Sequence, residues 1–271
     1  MKINSNMSAI RTLTSLGKAN NNASKAMERL SSGLRINSSA DDAAGMAISK
    51  KMNTQIKGLD QANRNAMDGI SMIQTAEGAL NEVHSMLQRM RELSVQAANG
   101  TYEDADRETV MQEINQLMEE IDAMKERTQF NKMNLLDGSY KNFTLHIGAN
   151  KDQSMNIEGD RISIDNILNH IEDLDVVTAA SSATEKIDAA IEETSAIRGR
   201  LGAYQNRLEH TASNLQVSEE NMTASMSRIQ DADMAEEMTS YTQYNVISQA
   251  ATAMLAQANQ RPQQVLQLLN S

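Results

Sequence analysis

The chain has no cysteine and no tryptophan, one proline, two phenylalanines and five tyrosines in 271 residues. Without cysteine there is no disulfide and no thiolate chemistry, and the redox compartment is left open. Aromatic side chains normally supply much of a globular core's buried area. At 3% aromatic, a rounded core is hard to build, whereas long helices packed along aliphatic seams remain possible. A single proline fits that alternative, because helix interiors exclude proline and loops favour it. No stretch approaches the roughly 20 apolar residues of a membrane span. The start, MKINSNMSAIRTL, lacks the apolar core of a cleavable secretory signal. The protein is therefore expected either to stay in the cell or to leave by a route that reads no such signal. A net charge of −11 argues against general nucleic-acid binding, which needs a basic footprint. Methionine, by contrast, occurs nineteen times, and at seam positions it serves as flexible core filler.

The stretch Met238 to Ser271 contains one charged residue, Arg261, among helix formers. Ile247, Ala251, Met254 and Ala258 recur at helical spacing. A surface helix carries a charged outer face. This one has almost none, so its polar side is expected to meet protein, which makes it an assembly element. At the other end Ile3, Met7, Ile10, Leu13, Leu16, Ala23, Met27 and Leu30 step by three and four. The accompanying charges are mostly basic (Arg11, Lys18, Lys25, Arg29). They fit a solvated face or a membrane-surface helix, but pairing of this seam with the uncharged C-terminal helix is preferred. Self-assembly is assigned to Ile3, Met7, Ile10 and Leu13 and to Ile247, Ala251, Met254, Leu255, Val265, Leu266 and Leu269. Pro262 is expected to bend or restart the last helix.

Between the ends, residues 31–42 are rich in Ser, Asn and Gly and should form a linker. Asp41 and Asp42 there read as helix-capping groups in preference to metal ligands. A helix is expected from Ala43 to Ala98, on the order of 80 Å long at 1.5 Å per residue. Asn99-Gly100 stops it, and Thr101 with Asp104 starts a second helix over about 102–128. Phe143–Ile147 and Ser154–Ile157 read as strands of one β-hairpin, placed as a cap on the end of a helical rod. From Thr178 to Ile229 a seven-residue spacing returns at Ile187, Thr194, Leu201, Leu208, Leu215, Met222 and Ile229. The fold expected is mainly α: an elongated rod of long antiparallel coiled-coil helices with a small β-hairpin, plus a terminal two-helix coiled coil. Its domains would be 1–42, 43–229 (hairpin at about 130–177) and 230–271.

No catalytic chemistry emerges. His84, His146, His170 and His210 are scattered, and neither a zinc motif, a phosphate loop nor a nucleophile elbow is present. No enzyme activity, cofactor or metal is expected.

Arg29-Leu-Ser-Ser-Gly-Leu-Arg-Ile-Asn37 and Ala40-Asp-Asp-Ala-Ala-Gly-Met-Ala-Ile48 closely resemble the N-terminal signature of bacterial flagellins. Gly69–Leu80 and Leu87–Thr101 do the same, and Leu201–His210 and Met254–Leu269 resemble the C-terminal signature. The chain departs from the family at Phe130-Asn-Lys-Met133, where Phe-Asn-Gly is the commoner start, and at its end, Leu-Leu-Asn-Ser in place of Leu-Leu-Arg. The resemblance implies a short flagellin without outer domains: a secreted subunit that self-assembles into the extracellular flagellar filament for motility. Its partners would be further copies of itself, an export chaperone, a cap protein and hook-associated junction proteins. No nucleic acid or membrane span is implied. It also implies recognition by vertebrate Toll-like receptor 5, through Gln88, Arg89, Leu93, Gln96 and Glu113. The alternatives are a hook-associated junction protein, which shares the terminal architecture, and a cytoplasmic coiled-coil signalling protein.

Overall fold

The computed structural model describes residues 6–172 and 174–269, with side chains placed through residue 260. The fold is mainly α. Its helices are α1 (Met7–Ser32), α2 (Ala43–Ala97), α3 (Asp104–Arg127), α4 (Asp165–Ile171), α5 (Val176–Gln230) and α6 (Met234–Leu269). Four short strands, β1 (Gln129–Phe130), β2 (Met133–Asn134), β3 (Asn142–His146) and β4 (Ser154–Glu158), lie between α3 and α4. Packing divides the chain into two compact units. One runs to Thr54 and resumes at Asn221, and the other is Gln55–Glu220. The divisions fall inside α2 and α5, not at the helix ends where the sequence places its borders.

The unit Gln55–Glu220 is held by an aliphatic seam. Ala66, Ile73, Leu80, Val83, Leu87, Met90 and Ala97 of α2 are buried against Ile114 and Ile121 of α3 and Ile187, Ala190, Ile197, Leu201 and Leu208 of α5. The heptad read from the sequence is buried in α5 from Ile187 to Leu215, while Met222 and Ile229 are half-buried. Its polar member, Thr194, is fully buried, and its hydroxyl donates to the Ala190 carbonyl at 2.8 Å. That bond inside its own helix spares the seam an orphaned donor. Antiparallel pairing of α2 with α5 follows from Ser94 against Thr184 (2.8 Å), Arg91 against Asp188 (2.5 Å) and Glu77 against Arg198 (3.8 Å).

Helix α3 begins two residues later than Thr101 predicts. Glu103 is its N-cap, and Asp106 accepts the Glu103 backbone N–H at 3.3 Å. The acidic run Glu103–Asp106 offers several capping oxygens, and spacing alone does not choose among them.

The hairpin β3–β4 is antiparallel, with Phe143 opposite Ile157 and Leu145 opposite Met155. It does not cap a helix end. It lies along the middle of α2, where a β-carbon at Gly69 would sit 2.5 Å from Leu145 and one at Gly58 would sit 2.9 Å from Ala149. Asn65 also donates to the His146 carbonyl at 2.8 Å. Two glycines eleven residues apart, about three turns along one helical face, thus make the bed for the hairpin.

Three further elements escape the sequence reading: the β1–β2 pair, a 3-10 turn at Gly159–Ile162, and α4. Each is too short to show periodicity. They are fixed instead by burial of Leu135, Leu136, Ile162, Ile164, Ile167 and Ile171.

The β1–β2 connection consists of Asn131 and Lys132, with φ of 51° and 65°. Both residues stand in the left-handed region that a two-residue hairpin of this hand requires. Asparagine tolerates it; lysine pays the steric penalty of its β-carbon. Lys132→Gly is therefore expected to stabilise the folded chain by about 1 kcal/mol, read as a higher midpoint in thermal or urea unfolding. An unchanged or lower midpoint would contradict the strained turn.

Candidate assembly surface

The second unit contains α1 and α6, which pack against each other in antiparallel sense. Asn6 meets Ala258, Asn20 meets Ser248 and Arg29 meets Glu237, so the chain direction reverses between them. The least exposed positions of α1 are Ala9, Thr12, Leu16, Ala19, Ala23, Ala26 and Leu30, an unbroken three–four alternation of a coiled-coil seam. Those of α6 include Tyr241, Tyr244, Ser248, Ala251, Leu255 and Ala258.

This face differs from the one assigned by apolar spacing alone. Met7, Ile10 and Leu13 are 57%, 51% and 58% exposed, and Met27 is exposed as well. On α6, Ile247 and Met254 point outward, whereas Ala251 is buried and Leu255 half-buried. The physical reason is size. Alanines at the seam let two helices approach closely, and the bulky side chains one position round are left outside. Within this unit, therefore, the sequence-predicted residues divide into a seam group (Ala251, Leu255) and an outward group (Met7, Ile10, Leu13, Ile247, Met254). Ile3 lies outside the described residues, as do the side chains of Val265, Leu266 and Leu269. The backbone of α6 continues across position 262, so the proline does not restart the helix.

The outward apolar set is larger than predicted. Met234, Met238 and Val246 are also about half exposed or more, and a shallow groove on α6 is lined by Met238, Thr239, Thr242, Gln243, Val246 and Ile247. Val246 and Met238 were legible as apolar residues, but α6 has apolar residues on most sides and spacing does not rank its faces. Single exposed apolar residues are ordinary; a recurrent apolar set along a helix pair marks an interaction surface.

Where α1 ends and α6 begins, the backbone closes a joint. Gly33, at φ 71°, takes the left-handed C-cap and donates to the Arg29 carbonyl at 2.8 Å. Arg35 N–H donates to Gln230 at 2.7 Å, Ala232 N–H donates to Gly33 at 3.0 Å, and the Arg35 guanidinium donates to the Ile229 carbonyl. The predicted linker is thus a fixed turn, with Ile36 buried beneath it. Asp42 caps α2 through the Gly45 N–H at 2.9 Å. Asp41 accepts the Ser38 N–H and hydroxyl, both at 3.0 Å, and these bonds hold its carboxyl below the usual aspartate range. Among the described residues no group of three or more potential ligands is placed to hold a metal.

Charge is partitioned between the units. The unit with α1 and α6 carries ten basic and seven acidic residues, net +3, so the other unit carries −14. The acidic surplus, which opposes self-association, is thus confined to the unit that lacks α1 and α6.

In that acidic unit, Gln88, Arg89, Gln96 and Glu113 are exposed, and Arg89 bonds Glu113 at 3.0 and 3.1 Å across α2 and α3. Leu93, expected beside them, is 2% exposed and belongs to the core. The reason is helical phase: Leu93 continues the buried column of Met90 and Ala97, a three–four step that already marked it.

Known proteins agree with this architecture. Residues 3–141 match the bacterial flagellin N-terminal helical region, and 184–269 match the C-terminal helical region. A flagellin of Halalkalibacterium halodurans is 51% identical over 99% of this chain and all of its own. One of Bacillus subtilis is 50% identical with the same coverage. The crystal structure of Bacillus cereus flagellin superposes with a TM-score of 0.50 at 30% identity, covering 60% of this chain and 94% of that one. Two terminal helical regions matched in order, with half of all residues shared along the full length, place the chain in the bacterial flagellin family.

Proposed function

We propose that this chain is a structural subunit of the flagellar filament that polymerises through the outward apolar residues of α1 and α6. The observation that carries the reading is the exposure of Met7, Ile10, Leu13, Val246, Ile247 and Met254 on a helix pair whose alanine seam is already filled. Burying several such side chains against neighbouring copies contributes roughly 1.5–3 kcal/mol each at full burial. No catalytic step enters the role. Among the described residues, no helix is long and apolar enough to cross a membrane. Identity to flagellins along the whole chain leaves the junction-protein and cytoplasmic signalling readings without support.

Family membership supports a reading in which the chain is exported through the flagellar channel with a chaperone on its C-terminal segment. The same reading has it delivered to the extracellular filament beneath a cap protein, with junction proteins joining it to the hook. Toll-like receptor 5 is a further partner on the same basis, and the exposed Gln88–Arg89–Gln96–Glu113 face supplies the polar surface it would engage.

Three measurements test these statements. Met254→Lys should abolish polymerisation while leaving the α1–α6 seam intact, because Met254 is 59% exposed; Ala251→Lys, at an 8% exposed seam position, should disrupt the pair itself. Filaments of normal length from Met254→Lys would remove the outward surface from the mechanism. In limited proteolysis, residues 1–35 and 230–271 should be cut in monomer and protected in polymer, and equal protection in both forms would sink the assembly mechanism. Arg89→Ala should lower receptor signalling in a reporter cell about tenfold, by loss of a charged contact worth on the order of 1.5 kcal/mol; full signalling would remove this face from recognition.

A further inference from the structure

The α1–α6 seam is rich in alanine, and alanine defines register poorly. Ala19 and Ala26 of α1 lie seven residues apart, as do Ala251 and Ala258 of α6, so a slip of one heptad returns small residues of each helix to the seam. Polar contacts must supply what the seam omits. Asn20 accepts the Ser248 hydroxyl at 2.8 Å, and Arg29 pairs with Glu237 at 2.9 Å.

The contact at the far end is of a different kind. Within a helix, a carbonyl accepts the N–H of the residue four positions on. For Ala258 that residue is Pro262, which has no N–H. Because α6 continues through position 262, the Ala258 carbonyl is left without its helical donor. Asn6 supplies one: its Nδ2 donates to the Ala258 carbonyl at 2.8 Å. The other end of the same amide starts α1. Asn6 Oδ1 accepts the Ala9 N–H at 3.2 Å and the Ser8 hydroxyl at 2.7 Å. One half-buried side chain thus begins one helix and fills the gap that the only proline opens in the other.

We infer that Asn6 and Pro262 together set the register of the terminal helix pair. Asn6 is a positioning residue: it selects the one alignment in which the start of α1 faces the open carbonyl of α6. A slipped pair keeps small residues in its seam but leaves that carbonyl without the Asn6 donor, so the proline penalises misalignment. The consequence for polymerisation rests on the filament reading, since only a correctly aligned pair presents the outward residues of α1 and α6 in a repeatable pattern.

A double-mutant cycle tests the coupling. Asn6→Asp keeps the capping oxygens and loses the amide donor; Pro262→Ala restores an N–H to Ala258. In the wild-type background Asn6→Asp should raise the critical concentration for polymerisation about tenfold, the effect of one lost hydrogen bond near 1.4 kcal/mol. In the Pro262→Ala background the same change should have less than a twofold effect. Equal effects in both backgrounds, or none in either, would overturn the inference, and circular dichroism would confirm that both variants keep the helices of the acidic unit. Should the wild-type chain fail to polymerise, the filament reading falls alone. The cycle is then read in the full-length chain, naturally free of cysteine, as the yield of crosslinking between Ala9→Cys and Leu255→Cys. Yields that Asn6→Asp leaves unchanged with Pro262 present would overturn the register role.

Discussion

Close approach of two helices through small side chains is the constraint from which the assembly surface follows. Ala19, Ala26 and Ala251 are nearly fully buried, and they give the α1–α6 contact little bulk to bury. The seam is consequently modest in apolar area, and the larger side chains are displaced to the outside. A pair built on leucine would satisfy itself. This pair gains only part of its available hydrophobic stabilisation within one chain, and the remainder is available to other copies.

The acidic unit answers the opposite demand. Its seam buries isoleucine, leucine, valine and methionine along α2, α3 and α5, and its polar intrusions are locally satisfied, as at Thr194. Its surplus of negative charge belongs to a different unit from the apolar outer face of α1 and α6. Self-repulsion and self-association are thereby assigned to different parts of the chain, an arrangement that keeps charge from opposing contact where contact is needed.

Much of this was legible in the residues. The long helices were marked by sustained three–four spacing, the α5 column by its heptad, and the hairpin by alternation around Phe143 and Ile157. What misled was the choice of face on α1. Two interleaved apolar columns run along it, and the bulkier one, through Met7, Ile10 and Leu13, gives the stronger hydrophobic signal. Packing selected the smaller column, because the cost of separating two helices by long side chains does not appear in a spacing count. Leu93 was misassigned by a related route: the family motif drew it to the surface, while its helical phase put it in the core. The β1–β2 turn and α4 were invisible for want of length. The role of Asn6 escaped because its partner is a backbone atom 252 residues away in sequence.

The methionines of the outward face carry a chemical liability. Met7, Met27, Met238 and Met254 stand with their thioethers open to solvent. Peroxide converts such a group to a sulfoxide, which is polar, chiral and larger than the sulfur it replaces. A surface tuned by unbranched, adaptable side chains would then present oxygen where it needs hydrocarbon. On the proposed assembly, the subunit has a redox shelf life before it joins its neighbours, and coverage by those neighbours would also be its protection from ageing.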